Sequence, residues 1–196
     1  MNLIDRAKNI LVTPKTEWDA IAADPTPTGA LVTGYVLPLA AVAAIAEFIG
    51  VVFLGSRMGE FGTIRLVIPV TLAILMIFNI VMAVVMVFVV GFIIDALAPT
   101  FGGQKNMGRA VKVAAHTYTP VWIVGILAII PALGLLGILA AIYAIYLLFF
   151  GLPKLMKAPQ EKAAGYTAVV VVVAIVVGFV VNTVGGLVPA MWPAAR

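Results

Sequence analysis

Residues 66–97 read LVIPVTLAILMIFNIVMAVVMVFVVGFIIDAL, a run in which Asp95 is the only charged side chain. An α-helix rises about 1.5 Å per residue, so this run outreaches the roughly 30 Å hydrocarbon core of a bilayer and must tilt or project from it. A similar run, 29–54, precedes it, and three more follow at 113–130, 133–152 and 166–188. The last is rich in valine, yet it runs unbroken far beyond ordinary strand length, and valine is favourable in lipid. The expected fold is an all-α membrane protein with five transmembrane helices.

Composition agrees with that solvent. Apolar residues make up 64% of the chain and charged residues 10%, and the mean hydropathy is +1.20. A soluble domain carries about 25% charged residues, more than this chain has to clothe itself in water. There is no cysteine, which excludes disulfides, thiolate metal sites and cysteine nucleophiles. The net charge of +4 is small and scattered, so nucleic acid is not an expected partner. The bilayer is.

Residues 1–27 form a cytoplasmic amphipathic segment in this reading, ahead of a five-span domain over 28–190. Charges at Asp5, Arg6, Lys8, Lys15, Glu17, Asp19 and Asp24 leave no room for a signal-peptide core. Leu3, Ile4, Ala7, Ile10 and Leu11 share one helical face, with Asp5, Arg6, Lys8 and Asn9 on the rest. Pro14 ends that helix, and Thr16-Glu17-Trp18-Asp19 offers the start of a second. Trp18 and Ile21 then face the same way, which suits either the lipid interface or the bundle's own cytoplasmic end. Trp18 is carried forward as a candidate lipid or partner contact.

With five spans the termini lie on opposite sides. Placing the N-terminus inside puts Arg6, Lys8, Lys15, Lys105, Arg109, Lys112, Lys154, Lys157 and Lys162 in the cytoplasm and only Arg57, Arg65 and Arg196 outside. The positive-inside rule therefore favours a cell (inner) membrane protein with N-terminus in and C-terminus out. Lys105, Arg109 and Lys112 join Trp18 as candidate lipid or partner contacts on the cytoplasmic side.

Charges inside spans mark function by default. Glu47, well inside span one, is the candidate intramembrane acid, with Arg57 or Arg65 as its expected outer partner. Asp95, near the inner end of span two, and Lys154, near that of span four, are expected to meet His116, Tyr118, Thr119 and Pro120 as one polar cluster. Such a cluster relays protons, binds a ligand or holds three helices in register. Pro120 removes a backbone hydrogen bond, and the hydroxyl of Thr117 or Thr119 is expected to satisfy the freed carbonyl near His116.

No catalytic constellation emerges, and neither a metal nor a cofactor is expected. One histidine without cysteine builds no ordinary zinc site. Ser56 is the only serine, on the outer side and away from His116, and Asp95 has no second aspartate beside it for aspartyl chemistry. Gly103-Gln104-Lys105-Asn106-Met107-Gly108-Arg109-Ala110 imitates a phosphate loop but ends Gly-Arg-Ala where Gly-Lys-Ser/Thr is needed.

The layout resembles the Yip family of five-span membrane proteins, named for interaction with Ypt/Rab GTPases, and most closely its bacterial branch. The resemblance is carried by Ile10-Leu11…Pro14…Trp18…Ile21, Gly102-Gly103, Tyr118-Thr119-Pro120, Gly125…Pro131 and Gly151-Leu152-Pro153. Where the family pattern is similar to Gly-Tyr-x-x-Thr/Ser-Pro, this chain has Ala115-His116-Thr117-Tyr118-Thr119-Pro120. The Asp-Leu-Tyr-Gly-Pro-like motif that eukaryotic members carry before span one has no counterpart here. The resemblance implies fold, topology and a trafficking-like or membrane-organising role more than Rab binding.

Two functions are expected from this reading. The first is a membrane scaffold acting through contacts with lipid or with a membrane or cytoplasmic protein. The alternative is a small transporter or channel using Glu47, Asp95 and His116 along a polar path. Small residues along span one (Ala40, Ala41, Ala44, Gly50) suit packing against another helix of this chain or of a second copy.

Overall fold

A computed structural model describes residues 2–53, 68–127, 133 and 135–191, and every regular element among them is helical. The loop expected over 55–65, with Arg57, Glu60 and Arg65, lies outside the described residues, as do Pro131, Trp192, Arg196 and the side chain of Asn182.

Helix α1 (Leu3–Val12) starts where Asn2 caps it, its side chain accepting from the Asp5 N–H at 2.8 Å. Helix α2 (Pro14–Ala23) begins at Pro14, two residues earlier than the Thr16 cap anticipated. Proline costs nothing at a helix's first position, where the missing N–H has no intrahelical partner. The two helices form a hairpin. Its buried face is Ala7, Ile10, Trp18 and Ile21, while Ile4 points away at 74% exposure.

Helix α3 (Thr28–Leu31) passes through a π-helical turn at Val32–Val36 into α4 (Leu37–Phe53). The Leu37 N–H reaches back five residues to the Val32 carbonyl. Pro38 explains the widening: it has no N–H for the Gly34 carbonyl, and its ring would strike that carbonyl in an unmodified α-helix.

Helix α5 (Ile68–Leu97) and α9 (Ala163–Met191) are the long apolar pair, and α8 (Leu136–Met156) continues four residues past its expected end. Pro153 sits inside that last stretch. Four stretches are long and apolar enough to cross a bilayer: Thr28–Gly50, Met76–Leu97, Leu136–Met156 and Gln160–Val181. The chain is an all-α multi-pass membrane protein.

The expected third span differs. It begins earlier, as α6 (Met107–Thr117), breaks at Tyr118 and resumes as α7 (Thr119–Ile126). Asn106 caps α6 by accepting from the Arg109 N–H at 2.9 Å. Pro120 fits the first turn of α7 and cannot continue α6, so the proline divides the span where a bend was expected.

Close approaches fix the packing. A Cβ on Gly91 of α5 would lie 2.9 Å from a Val111 methyl of α6, and one on Gly151 of α8 would lie 2.7 Å from the Trp18 ring of α2. Glycine there lets the elements touch backbone to side chain. Trp18, Ile94, Val111, Leu147, Leu152 and Tyr166 are fully buried in the core this creates.

Candidate functional site

The hairpin meets the bundle at a polar cleft. Leu3, Arg6, Ala7 and Ile10 recur at helical spacing, so Arg6 sits on the buried edge of α1 and not among its solvent-facing charges. Its side chain is only 11% exposed, and it donates to Glu17 at 2.8 Å and to Asp24 at 2.5 Å. Asp24, just past α2, also accepts from the Thr26 N–H at 2.9 Å and from the Thr26 hydroxyl. Those two Thr26 bonds, with Arg6 and Lys112 nearby, hold the Asp24 carboxyl below its usual range. Lys112 of α6 donates its amino group to the Asp24 carbonyl.

Beneath this network lies the lone histidine. His116 is 3% exposed, and its Nδ1 lies 2.8 Å from the Lys112 carbonyl. A carbonyl only accepts, so Nδ1 carries the proton and Nε2 is the nitrogen turned from the helix backbone. The Tyr35 ring from the π-helical turn tilts over the imidazole at 4.6 Å between centroids, and Trp18 approaches edge-on at 6.0 Å. The Tyr35 hydroxyl pairs with the Thr119 hydroxyl at 2.8 Å. The hydroxyl of Thr119 is thereby taken and that of Thr117 has no partner, so neither serves the carbonyl freed by Pro120. Pro120 itself is buried and Tyr118 is half-buried, stacked at 5.8 Å on Trp122.

Beside these groups is an open cavity of about 190 Å³ lined by residues of α1, α2, α3, the π-helical turn and α6. It was not anticipated from the sequence. Arg6, Glu17, Asp24 and Tyr35 are the residues the sequence reading missed. The spacing of Arg6 with Leu3 and Ile10 was the signal for the first of them.

The proposed cluster of Asp95, His116 and Lys154 does not form. Helices α5 and α6 are linked by the short loop 98–106 and run antiparallel, with Gly91 against Val111. Asp95 lies four residues from that contact towards the loop and His116 five residues away from it, an axial offset of about 13 Å. Asp95 is half-buried beside Tyr166, and its Oδ1 has no hydrogen-bond partner. Tyr166 stacks on Phe101 at 4.9 Å and donates to the Ile94 carbonyl. Lys154 instead pairs with Asp19 on the exposed side of α2.

Two contact residues also differ from expectation. Trp18 is fully buried against Gly151 and meets no lipid, because the apolar face of α2 is covered by α8. Lys112 is turned inward to Asp24, whereas Lys105 is exposed and Arg109 half-buried. Glu47 is exposed on the outside of α4. Among the described residues no three His, Asp or Glu side chains gather to hold a metal ion.

A family model described as the Yip1 domain matches residues 8–181. No curated protein and no solved structure matches the chain. The matched stretch runs from the middle of α1 to well into α9 and takes in Trp18, Tyr35, the α6–α7 break and Gly151. The chain therefore belongs to the Yip1 domain family.

Proposed function

We propose that this membrane protein is a scaffold, or membrane-organising factor, that works through contacts made by one basic end of its bundle. One observation carries the reading. The Gln104 N–H donates to the Met156 carbonyl at 2.7 Å, docking the α5–α6 loop on the end of α8. That contact sets exposed Lys105 beside exposed Lys157, and the Lys162 amino group lies near Gly102 of the same loop. Three lysines from two loops thus share a surface next to apolar spans, an arrangement that attracts anionic headgroups or an acidic partner. The charge asymmetry of the chain supports reading this end as cytoplasmic. The role is trafficking-like by family, and non-enzymatic.

A flux function has less support. Asp95 and His116 are offset along their helices, and Glu47 sits on the outside of the bundle, so these groups do not line up as a path among the described residues.

The test places the protein in nanodiscs of neutral lipid and measures their binding to vesicles rich in anionic phospholipid. A lysine near such a surface contributes about 1 kcal/mol, so the Lys105→Gln/Lys157→Gln/Lys162→Gln variant is expected to bind about 100-fold more weakly. Undiminished binding by that variant overturns the reading.

A further inference from the structure

The cleft has the features of a ligand site, and its chemistry is specific. Arg6, Asp24 and Lys112 line it together with Tyr35 and His116. Their hydrogen-bonding capacity is only partly used. Lys112 carries three donors and spends one on the Asp24 carbonyl, and Arg6 carries five and spends two on carboxylates. Glu17 behind Arg6 balances one of the two cations and Asp24 the other, so the wall is close to neutral while holding both signs. A bare anion would meet no surplus charge there. A group carrying both a phosphate and an ammonium would meet partners for each, the Lys112 and Arg6 donors for the first and the Asp24 carboxylate for the second.

Size and access narrow the class further. About 190 Å³ exceeds the roughly 150 Å³ cavity that accepts a six-carbon ring, yet falls short of the roughly 300 Å³ at which sites for drug-sized molecules begin. Ala30 and Gly34 are exposed at the edge, and a Cβ on Gly34 would meet nothing within 4 Å. These two residues belong to the first turns of Thr28–Gly50, a helix able to cross the bilayer, so the mouth lies beside the end of that helix, where headgroups would stand. Leu3, Ile21 and Leu31 supply apolar wall beside the polar one.

We propose that this cleft binds the phosphoethanolamine headgroup of a membrane phospholipid, phosphate towards Lys112 and Arg6, ammonium towards Asp24, acyl chains left in the leaflet. The inference deepens the membrane-contact reading above and rests on it only for the bilayer level of the mouth.

The test uses the purified full chain in detergent, stripped of lipid, and follows thermal stabilisation by three soluble probes: glycerophosphoethanolamine, glycerophosphoglycerol and inorganic phosphate. Glycerophosphoethanolamine is expected to bind about tenfold more tightly than either other probe. Lys112→Gln should weaken it about tenfold, and Gly34→Leu, which fills the mouth from an open position, should abolish it with the unliganded midpoint unchanged. Ala30→Phe is the second mouth-filling variant if Gly34→Leu misfolds. Equal binding of all three probes, no binding by the parent chain, or binding that survives a folded mouth-filling variant overturns the inference. Nanodisc binding to anionic vesicles separates the two readings, because Gly34→Leu leaves Lys105, Lys157 and Lys162 in place.

Discussion

The Tyr35 hydroxyl lies 2.8 Å from the Thr119 hydroxyl, 84 positions further along the chain. One comes from the π-helical turn of the first spanning helix, the other from the first residue after the break that divides the expected third span. The bond ties the two irregular points of the bundle to each other. Thr119 is wholly buried, so Tyr35→Phe leaves its hydroxyl without a partner and is expected to cost about 1–3 kcal/mol. Thr119→Val removes the orphan as well. The double variant should therefore be less destabilised than the sum of the two single ones, as read by unfolding in detergent. Strict additivity would mean that the bond contributes nothing.

Burial separates the two ion-pair systems of the N-terminal hairpin. Arg6→Met strands Glu17 and Asp24 and is expected to cost about 3 kcal/mol. Lys154→Ala breaks a pair whose side chains are 45% and 59% exposed, and should change stability by no more than about 0.5 kcal/mol. Denaturant titrations of the two variants give the ranking directly.

Acid should loosen the hairpin through Asp24. Its folded-state carboxyl titrates below the unfolded value of about 3.9, because the Thr26 bonds and Arg6 favour the ionised form. The folded chain thus binds fewer protons in that range. The stabilisation is complete above about pH 5, where both states are ionised, and is lost as pH falls through the unfolded value and on to the lowered folded one. Asp24→Asn should flatten this part of the stability-versus-pH curve between about pH 5 and the acid limit. A curve parallel to that of the parent chain would remove Asp24 from the account.

Gly151 and Trp18 should behave as a coupled pair. The added methyl of Gly151→Ala falls 2.7 Å from the indole, and the overpacking is expected to cost about 1–3 kcal/mol. Trp18→Phe gives back ring volume at that point, so the double variant should recover part of the loss. Thermal midpoints of the four chains make the comparison.

The chain has no cysteine, so single cysteines report topology without background. In intact cells, Lys8→Cys and Lys157→Cys should resist a membrane-impermeant maleimide until the membrane is opened, and Arg196→Cys should react at once. The reverse pattern would invert the proposed orientation.

Four long apolar stretches were legible because length and unbroken apolarity are local properties, and the helix Ile68–Leu97 needed nothing beyond them. The break at Tyr118 was half legible: Pro120 announced a bend, but whether it kinks a helix or divides it depends on what packs at the joint. Trp18 could not be placed, because the apolar face of a short amphipathic helix reads alike whether it meets lipid or α8. Asp95, His116 and Lys154 each lie near the same end of a span, and that likeness suggested a cluster. The register of α5 on α6, set by the Gly91–Val111 contact, puts Asp95 and His116 at different depths. The pairing of Arg6 with Glu17 and Asp24, 11 and 18 positions away, exists only once the hairpin has folded.

The π-helical turn at Val32–Val36 also works as a gear between two halves of one helix. It holds one residue more than an α-turn would, and each residue of an α-helix turns the chain by about 100°. Tyr35 is therefore phased inward to His116 while Val42, Ile45 and Ile49, beyond the turn, present their stripe outward. Wound as an unbroken α-helix, the same residues would carry that stripe more than a quarter turn away from its present position relative to Tyr35. The winding of this segment, set by Pro38, decides which stripe of the helix beyond it is exposed.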